Sequence, residues 1–535
     1  MANNNHQTSM FLTMFSLCYF ITLIQGRRLI PSMPLHVQPN DQYSQISIPP
    51  SYSPNIFDSP SDDDHSVGYN SPAPPPSDDD DHGVSGSTDA HRRRRQTHHK
   101  PSGHKAAGHR HQAAAPAASH RQPAGPTGVF DVRSFGAVGD GLVDDTLAFK
   151  SAWDAACGGD NAKVVAPKGF SFLVQPLIFN GPCKSGVVFQ LEGTIVAPDG
   201  PDAWPKDSSK RQWLVFYRIH SLTLQGGGLI DGRGDKWWNL PCKPHKGING
   251  TSTHGPCDSP VAMKFSGNTN LTVRGLRLIN SPQFNIRIDG CQDVNVDSLI
   301  IKSPANSPNT DGIHVENTND VTIYNSIIAN GDDCISIGAG SHNLDIRNVT
   351  CGPGHGISIG SLGIHQTKAC VSNITVSNCI IKHSDNGIRI KTWQGGSGSV
   401  SGINFEGIHM DTVRNPIIID QYYCDSAKCS NQTSAVSIND ITYSNIKGTY
   451  DTRSPPVHLA CSDPAPCTNI TISGLELLPA PVTGMDLVTD HKHQLVSMEP
   501  FCYNAYGNNI GEVTNPPVYC LLDGMPYTSS DVEQC

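Results

Sequence analysis

The sequence predicts an all-β protein: a right-handed parallel β-helix, a solenoid with a helical cap at its N-terminal end, preceded by a long segment too polar to fold. Three observations carry that reading. From residue 221 a polar residue followed by an apolar–polar–apolar triplet recurs: Ser221-Leu-Thr-Leu, Asn270-Leu-Thr-Val, Asp293-Val-Asn-Val, Asp320-Val-Thr-Ile, Asn343-Leu-Asp-Ile, Asn373-Ile-Thr-Val, Gly402-Ile-Asn-Phe, Asp440-Ile-Thr-Tyr and Asn469-Ile-Thr-Ile. From Asn270 the starts lie 23, 27, 23, 30, 29, 38 and 29 residues apart, a period that suits stacked coils. Each triplet alternates and is rich in β-branched residues, as a half-buried strand should be. Second runs such as Leu299-Ile-Ile and Ile327-Ile follow, then third runs such as Ile335-Ser-Ile and Ile388-Arg-Ile, so each coil holds three strands. The leucine spacing of a leucine-rich horseshoe is missing, and a long series of even repeats argues against a β-sandwich.

The elements follow in order. Residues 10–24 form a 15-residue apolar run, too short for a comfortable membrane span, and Gly26 suits signal-peptide cleavage, although no Lys or Arg precedes the run. Residues 1–26 are therefore expected to be a signal peptide, with no membrane association after its removal. Residues 27–125 carry acidic runs at 62–64 and 78–81, a basic run at Arg92–Arg95, ten of the 23 histidines, and equal numbers of acidic and basic groups. So few apolar residues cannot bury a core, and the segment reads as a disordered spacer whose basic half could attract an acidic polysaccharide. The domain expected over 126–535 carries the whole formal charge of −10, which does not suit nucleic-acid binding. Its stretch DDTLAFKSAWDAAC has the apolar spacing of an amphipathic helix starting near Asp144 or Asp145, a candidate cap for the open solenoid end. Past about residue 480 the repeat fades, and Cys502, Cys520 and Cys535 are candidates to fasten the tail.

Sixteen cysteines follow residue 26, several as close neighbours: Cys334 with Cys351, Cys370 with Cys379, Cys424 with Cys429 and Cys461 with Cys467. In an oxidising compartment such neighbours would clip loops, and no paired CxxC motifs suggest zinc. Six Asn-x-Ser/Thr sequons, at Asn249, Asn270, Asn348, Asn373, Asn431 and Asn469, suit a glycosylated, secreted protein.

Three polar interruptions carry the chemistry. Asp311 lies in SPNTDGIHV, Asp332 and Asp333 in GDDC, and His355 in GPGHGISIG, at spacings of 21 to 23 residues. Taken singly they are good turn sequences, or calcium ligands. At one-coil spacing they stack on one face, and carboxyls gathered that closely push one pKa upward. One carboxyl can then give a proton while another activates water, the division of labour in glycoside hydrolysis. Neighbours on a regular strand face opposite ways, so Asp332 and Asp333 both reach a sugar only from a bend. In NGIRIKTW, Arg389 and Lys391 stand two apart on a strand and share a face, suited to a carboxylated sugar or simply to balancing the acids.

NTDG, GDDC, GHGISIGS and RIKT, in that order, resemble the four signature motifs of the polygalacturonases, glycoside hydrolase family 28, over roughly residues 128 to 520. The resemblance implies hydrolysis of α-1,4 bonds between galacturonic acids in pectin, with inversion and without a cofactor or metal, by a secreted cell-wall monomer. It gives Asp332 the general-acid role, Asp311 and Asp333 the activation of water, and His355 the support of the acid. Arg389, Lys391 and Asn309 become substrate binders, with Tyr422 of DQYYC, beside Tyr423, as a further candidate. A calcium-dependent pectate lyase, a rhamnogalacturonan hydrolase and a non-catalytic pectin-binding protein are the rival readings.

Overall fold

A computed structural model describes residues 128–240, 259–424, 434–481, 499–511 and 514–526, with 245–246, 252–253, 429, 432 and 535 between and after them. The expected signal peptide and charged segment, residues 1–125, lie outside the described residues, as do the sequons at Asn249 and Asn431. The rest winds into a right-handed parallel β-helix. Three parallel sheets of 13, 12 and 11 strands run its length among the described residues, and each strand pairs with its counterparts in adjacent coils. The first sheet opens with Val129–Asp131, the second with Asp140–Asp144 and the third with Leu177–Asn180.

The recurring polar residue marks a backbone corner. Ser221, Asn270, Asp293, Asp320, Asn343, Asn373, Asp440 and Asn469 all have φ between +52° and +60°, and Gly402 has +64°. That left-handed conformation costs most residues about 1–2 kcal/mol, and Gly, Asn and Asp tolerate it best. The repeat therefore draws its first position from a short menu. The corners also stack: Asn270 Nδ2 donates to Ser221 Oγ at 2.9 Å, Asn343 Nδ2 to Asp320 Oδ1 at 3.0 Å, and Asn373 Nδ2 to Asn343 Oδ1 at 2.8 Å.

Inside, equivalent apolar residues form ladders. In the third sheet Ile286, Ile313, Ile335, Ile357, Ile388 and Ile417 pair in sequence, and so do Ile288, Val315, Ile337, Ile359, Ile390 and Ile419. All twelve are fully buried. The cap is the α-helix Thr146–Cys157, starting one residue past the expected position. Its Phe149 and Trp153 meet Phe172, Phe179, Phe189 and Phe216 across the open end of the solenoid. Coils exist before residue 221, where the sequence repeat is not evident: Ala162–Ala166 and Val187–Leu191 lead directly to His220–Gln225. Another follows residue 480, where Phe501–Tyr503 and Ala505–Asn509 extend two sheets. No helix among the described residues is long and apolar enough to cross a membrane.

Disulfides join Cys334 to Cys351, Cys424 to Cys429 and Cys461 to Cys467, as neighbours in sequence should. The pairing of Cys370 with Cys379 does not form. Cys370 binds Cys535, tying the chain end to the solenoid, and Cys379 is a buried free thiol. The extended strand Lys368–Ser377 separates those two by far more than the ~4.4–6.8 Å that a disulfide spans between Cα atoms. Cys502 pairs with Cys520 in the tail, and Cys157 with Cys183 beneath the cap.

The corner stereochemistry has a direct test. Asn343→Val puts a β-branched residue at φ +59° and is expected to lower unfolding free energy by about 1–2 kcal/mol more than Asn343→Gly, measured from urea midpoints.

Candidate active site

The interruptions fold as bends at the entry to third-sheet strands. Asp311 precedes Ile313–Glu316, Asp332 and Asp333 precede Ile335–Ile337, and His355 precedes Ile357–Leu362. Backbone bonds lock successive bends together: Gly312 N–H to Asp333 O at 2.9 Å, His355 N–H to Asp332 O at 2.8 Å and Cys334 N–H to Gly356 O at 2.8 Å. Close approach demands glycine here. A Cβ on Gly331 would lie 2.0 Å from the Ser307 carbonyl oxygen, and one on Gly356, at φ +75°, 2.1 Å from that of Gly387.

Asp311, Asp332 and Asp333 line one cavity of about 510 Å³, together with Asn309, Lys391 and Tyr423. Because Asp332 and Asp333 sit on a bend, their carboxyls have different partners. Asp332 Oδ1 faces His355 Nδ1 at 3.1 Å, and Asn309 Nδ2 reaches its Oδ2 at 3.4 Å. Asp333 is almost completely buried and three donors converge on it: Arg389 Nη2 at 2.8 Å and Ser358 Oγ at 2.8 Å on Oδ1, and Lys391 Nζ at 2.8 Å on Oδ2. Arg389 and Lys391 do share a face, and the group they clamp is Asp333.

These partners set three distinct carboxyls. Burial, then the charges of Asp332 and Asp333, push Asp311 well above the usual carboxylate range. Burial also opposes ionisation of Asp332, but the hydrogen bond and charge of His355 outweigh it and hold that carboxyl low. At Asp333 the same penalty is overcome by Lys391 and Arg389, again lowering its pKa. Burial alone would depress His355, yet its bond to Asp332 and that residue's charge raise it, so the Asp332–His355 pair holds its proton to higher pH than a free imidazole would.

Asp332, Asp333 and His355 bring ligand-type atoms within 4.8 Å of one another, close enough for a metal ion to bridge. Arg389 and Lys391 already occupy both oxygens of Asp333, and His355 Nδ1 faces Asp332, so a divalent ion would have to displace or repel these cations.

Tyr422 and Tyr423 diverge. Tyr423 lines the central cavity, with Lys391 Nζ 5.4 Å from its ring centre. Tyr422 lies in the next depression along the sheet, with Asp420, His458, Phe501 and Tyr503, and its hydroxyl donates to Cys461 O at 3.3 Å. Four residues that sequence reasoning did not single out also belong to the site. Ser336 donates to Asp311 Oδ2 at 2.7 Å, and Ser358 supports both Asp333 and Arg389. His314 contacts Ser336, and Glu316 flanks His314. Strand alternation holds the signal for Ser336 and Ser358: in Ile335-Ser-Ile and Ile357-Ser-Ile a polar residue occupies the outward position, which pairs in register up to Arg389.

The comparisons with known proteins agree with this architecture. The model for glycosyl hydrolases family 28 matches residues 157–489. A probable polygalacturonase of Arabidopsis thaliana is 42% identical over 405 residues, covering 75% of this chain and 86% of that protein. A polygalacturonase of Cryptomeria japonica is 44% identical over 350 residues, covering 65% and 67%. Among solved structures, an endo-xylogalacturonan hydrolase from Aspergillus tubingensis superposes with a TM-score of 0.57 at 25% identity, covering 66% of this chain and 93% of that one. A polygalacturonase from Erwinia carotovora ssp. carotovora, at 23% identity, shares the fold with a TM-score of 0.53 over 68% and 96% of the two chains. The chain is thus a glycoside hydrolase and belongs to glycosyl hydrolases family 28.

Proposed function

We propose that the protein cleaves the α-1,4-galacturonosidic bonds of homogalacturonan by an inverting acid/base mechanism. The observation that carries this is the differentiation of Asp311, Asp332 and Asp333 within one cavity beside Lys391. Asp332 is the most accessible of the three acids, with 20% of its side chain exposed against 2% for Asp333, and it is the proton donor. The proton it needs is shared with His355. As electron density builds on the leaving glycosidic oxygen, His355 Nδ1–H protonates Asp332 and Asp332 protonates that oxygen. Asp333, kept ionised by two cations, and Asp311 orient and deprotonate the attacking water. Lys391 has N–H groups left after its bond to Asp333 and meets the substrate carboxylate as a point charge, while Arg389 acts mainly through Asp333. Asn309, and Tyr423 in preference to Tyr422, complete the contact with the sugar. Names carried by relatives, polygalacturonase among them, support the same substrate. The accompanying reading is a monomer secreted to the cell wall after loss of residues 1–26, with residues 27–125 as a charged spacer and 126–535 as the catalytic domain.

Incubation with de-esterified polygalacturonate is expected to release reducing ends without ultraviolet-absorbing unsaturated product, and EDTA is expected to leave the rate unchanged. Absorbance that EDTA abolishes would make the protein a lyase. Proton NMR of the first product should detect the β-anomer. Asp332→Asn is expected to lower kcat by about 10²–10⁴-fold while substrate binding persists.

The pH dependence has a definite sign. The Asp332–His355 pair holds its proton below the raised pKa of His355 and loses it as pH rises through that value, so activity falls on the alkaline side. In His355→Gln the proton rests on a single carboxyl, and the alkaline limb of kcat/KM is expected to move to lower pH.

A further inference from the structure

The proposed mechanism requires Asp311 to accept a proton, whereas its surroundings disfavour the carboxylate. It is buried, it faces Asp332 and Asp333, and Lys391 offsets them only in part. A hydrogen-bonded chain leads away from it along the outer face of the third sheet. Asp311 Oδ2 lies 2.7 Å from Ser336 Oγ, Ser336 Oγ lies 2.8 Å from His314 Nδ1, and His314 Nε2 lies 3.4 Å from Glu316 Oε2. Register pairing fixes the spacing, because His314 is the direct strand partner of Ser336 on one side and of Arg287 on the other. Phe284 stacks on the imidazole with ring centres 4.9 Å apart, so the ring plane is held. Arg287 in turn bonds Glu316. Burial works against ionisation of Glu316, but His314 and Arg287 overcome it and lower its pKa to about 2, so a carboxylate faces Nε2 at any working pH.

Resting on the assignment of Asp311 to water activation, we propose that Ser336 and His314 form a proton relay that converts Asp311 from acid to base. The carboxyl proton on Asp311 Oδ2 passes to Ser336 Oγ while the serine hydrogen passes to His314 Nδ1. One O–H bond breaks at Asp311 and one N–H bond forms at His314, and the serine ends as it began. The result is a carboxylate at Asp311 and an imidazolium at His314, with no net gain or loss of protons. Glu316 stabilises that imidazolium, and the imidazolium stabilises the carboxylate through Ser336. When Asp311 takes a proton from the attacking water, the imidazolium gives up one proton to solvent and regains a free Nδ1, so that protonated Asp311 and neutral His314 return for the next turnover. His314 and Ser336 are positioning residues in this scheme, since they act on the reaction through Asp311.

The test is the acid limb of the kcat/KM–pH profile on polygalacturonate for the full-length wild type, His314→Gln and Ser336→Ala, with Asp311→Asn as the control on the assignment. The groups facing Asp311 and His314, namely Asp332, Asp333, Lys391, Glu316 and Arg287, remain in place in both relay variants. With Lys391 as its remaining cation but no imidazolium at His314, Asp311 ionises only at higher pH. Both variants are therefore expected to move the acid limb upward by about 1–3 pH units and to depress kcat more than KM at mildly acidic pH. Ser336→Thr keeps the hydroxyl and should restore the wild-type limb, which a packing role for Ser336 would not require. An unmoved acid limb in folded His314→Gln overturns the relay. Full activity in Asp311→Asn overturns the assignment beneath it. Inactivity of Asp311→Asn together with a shifted limb in both relay variants supports both.

Discussion

The site depends on coil-to-coil register in the third sheet. Parallel pairing repeats every strand position about 4.8 Å further along the solenoid axis, so a column inside the wall implies a column outside it. The inward columns are ladders of isoleucine and valine, fully buried, and they tolerate no slip, because a one-residue shift would drive apolar side chains to the solvent face. The outward column between them reads Arg287, His314, Ser336, Ser358, Arg389. Each is aligned by packing it does not itself provide. A cluster assembled from residues as far apart in sequence as Asp333 and Lys391 thus requires no long loop to bring it together.

Charge is shared out with equal economy. The body of the protein is acidic, and a cleft for an anionic polymer has to be locally basic against that background. The cations are present, but Arg389 and Lys391 both rest on Asp333. Their placement makes chemical sense if the first need is to separate three neighbouring carboxyls by pKa. Asp333 receives two cations, Asp332 an imidazole and Asp311 a serine hydroxyl, so the first two are held low while Asp311 is pushed up. In the proposed function a single approaching carboxylate would meet a lysine already oriented by one hydrogen bond, at a lower entropy cost than a free surface side chain.

Much of this is legible in the amino-acid sequence. The period, the three strands per coil and the capping helix follow from alternation and spacing, which are local and physical. The first three motifs place Asp311, Asp332, Asp333 and His355 on one face because one-coil spacing translates directly into stacking. The choice of partner is not legible. Nothing in RIKT says whether its cations meet a ligand or an aspartate, since that depends on side-chain reach across two coils. Nearness in sequence misleads at Cys370 and Cys379, because a strand holds its two ends apart in space. The early coils carry a weaker signal: Asn161-Ala-Lys-Val fits the tetrapeptide and Asn161 turns left-handed at φ +49°, but in Gly186-Val-Val-Phe an apolar Val188 fills the polar position and breaks the alternation.

The sequons acquire a second meaning from the corners. Asn270, Asn373 and Asn469 each open the repeat as Asn-x-Thr. The asparagine is there because the backbone turns left-handed, with φ of +52°, +55° and +54°. The threonine two residues on lies in the strand, where alternation turns it outward and β-propensity favours it. Any solenoid built on this corner would generate glycosylation motifs by folding physics alone. Such motifs therefore carry less weight as signs of an extracellular life than their number suggests. Asn348 stands outside the tetrapeptide series, yet it too is a left-handed corner, at φ +52°, with its Nδ2 donating to Asn325 Oδ1 at 2.7 Å. In each of the four, a glycan on the amide nitrogen would take one of two hydrogens and leave the other for the ladder, so the stacked corners and the modification are chemically compatible.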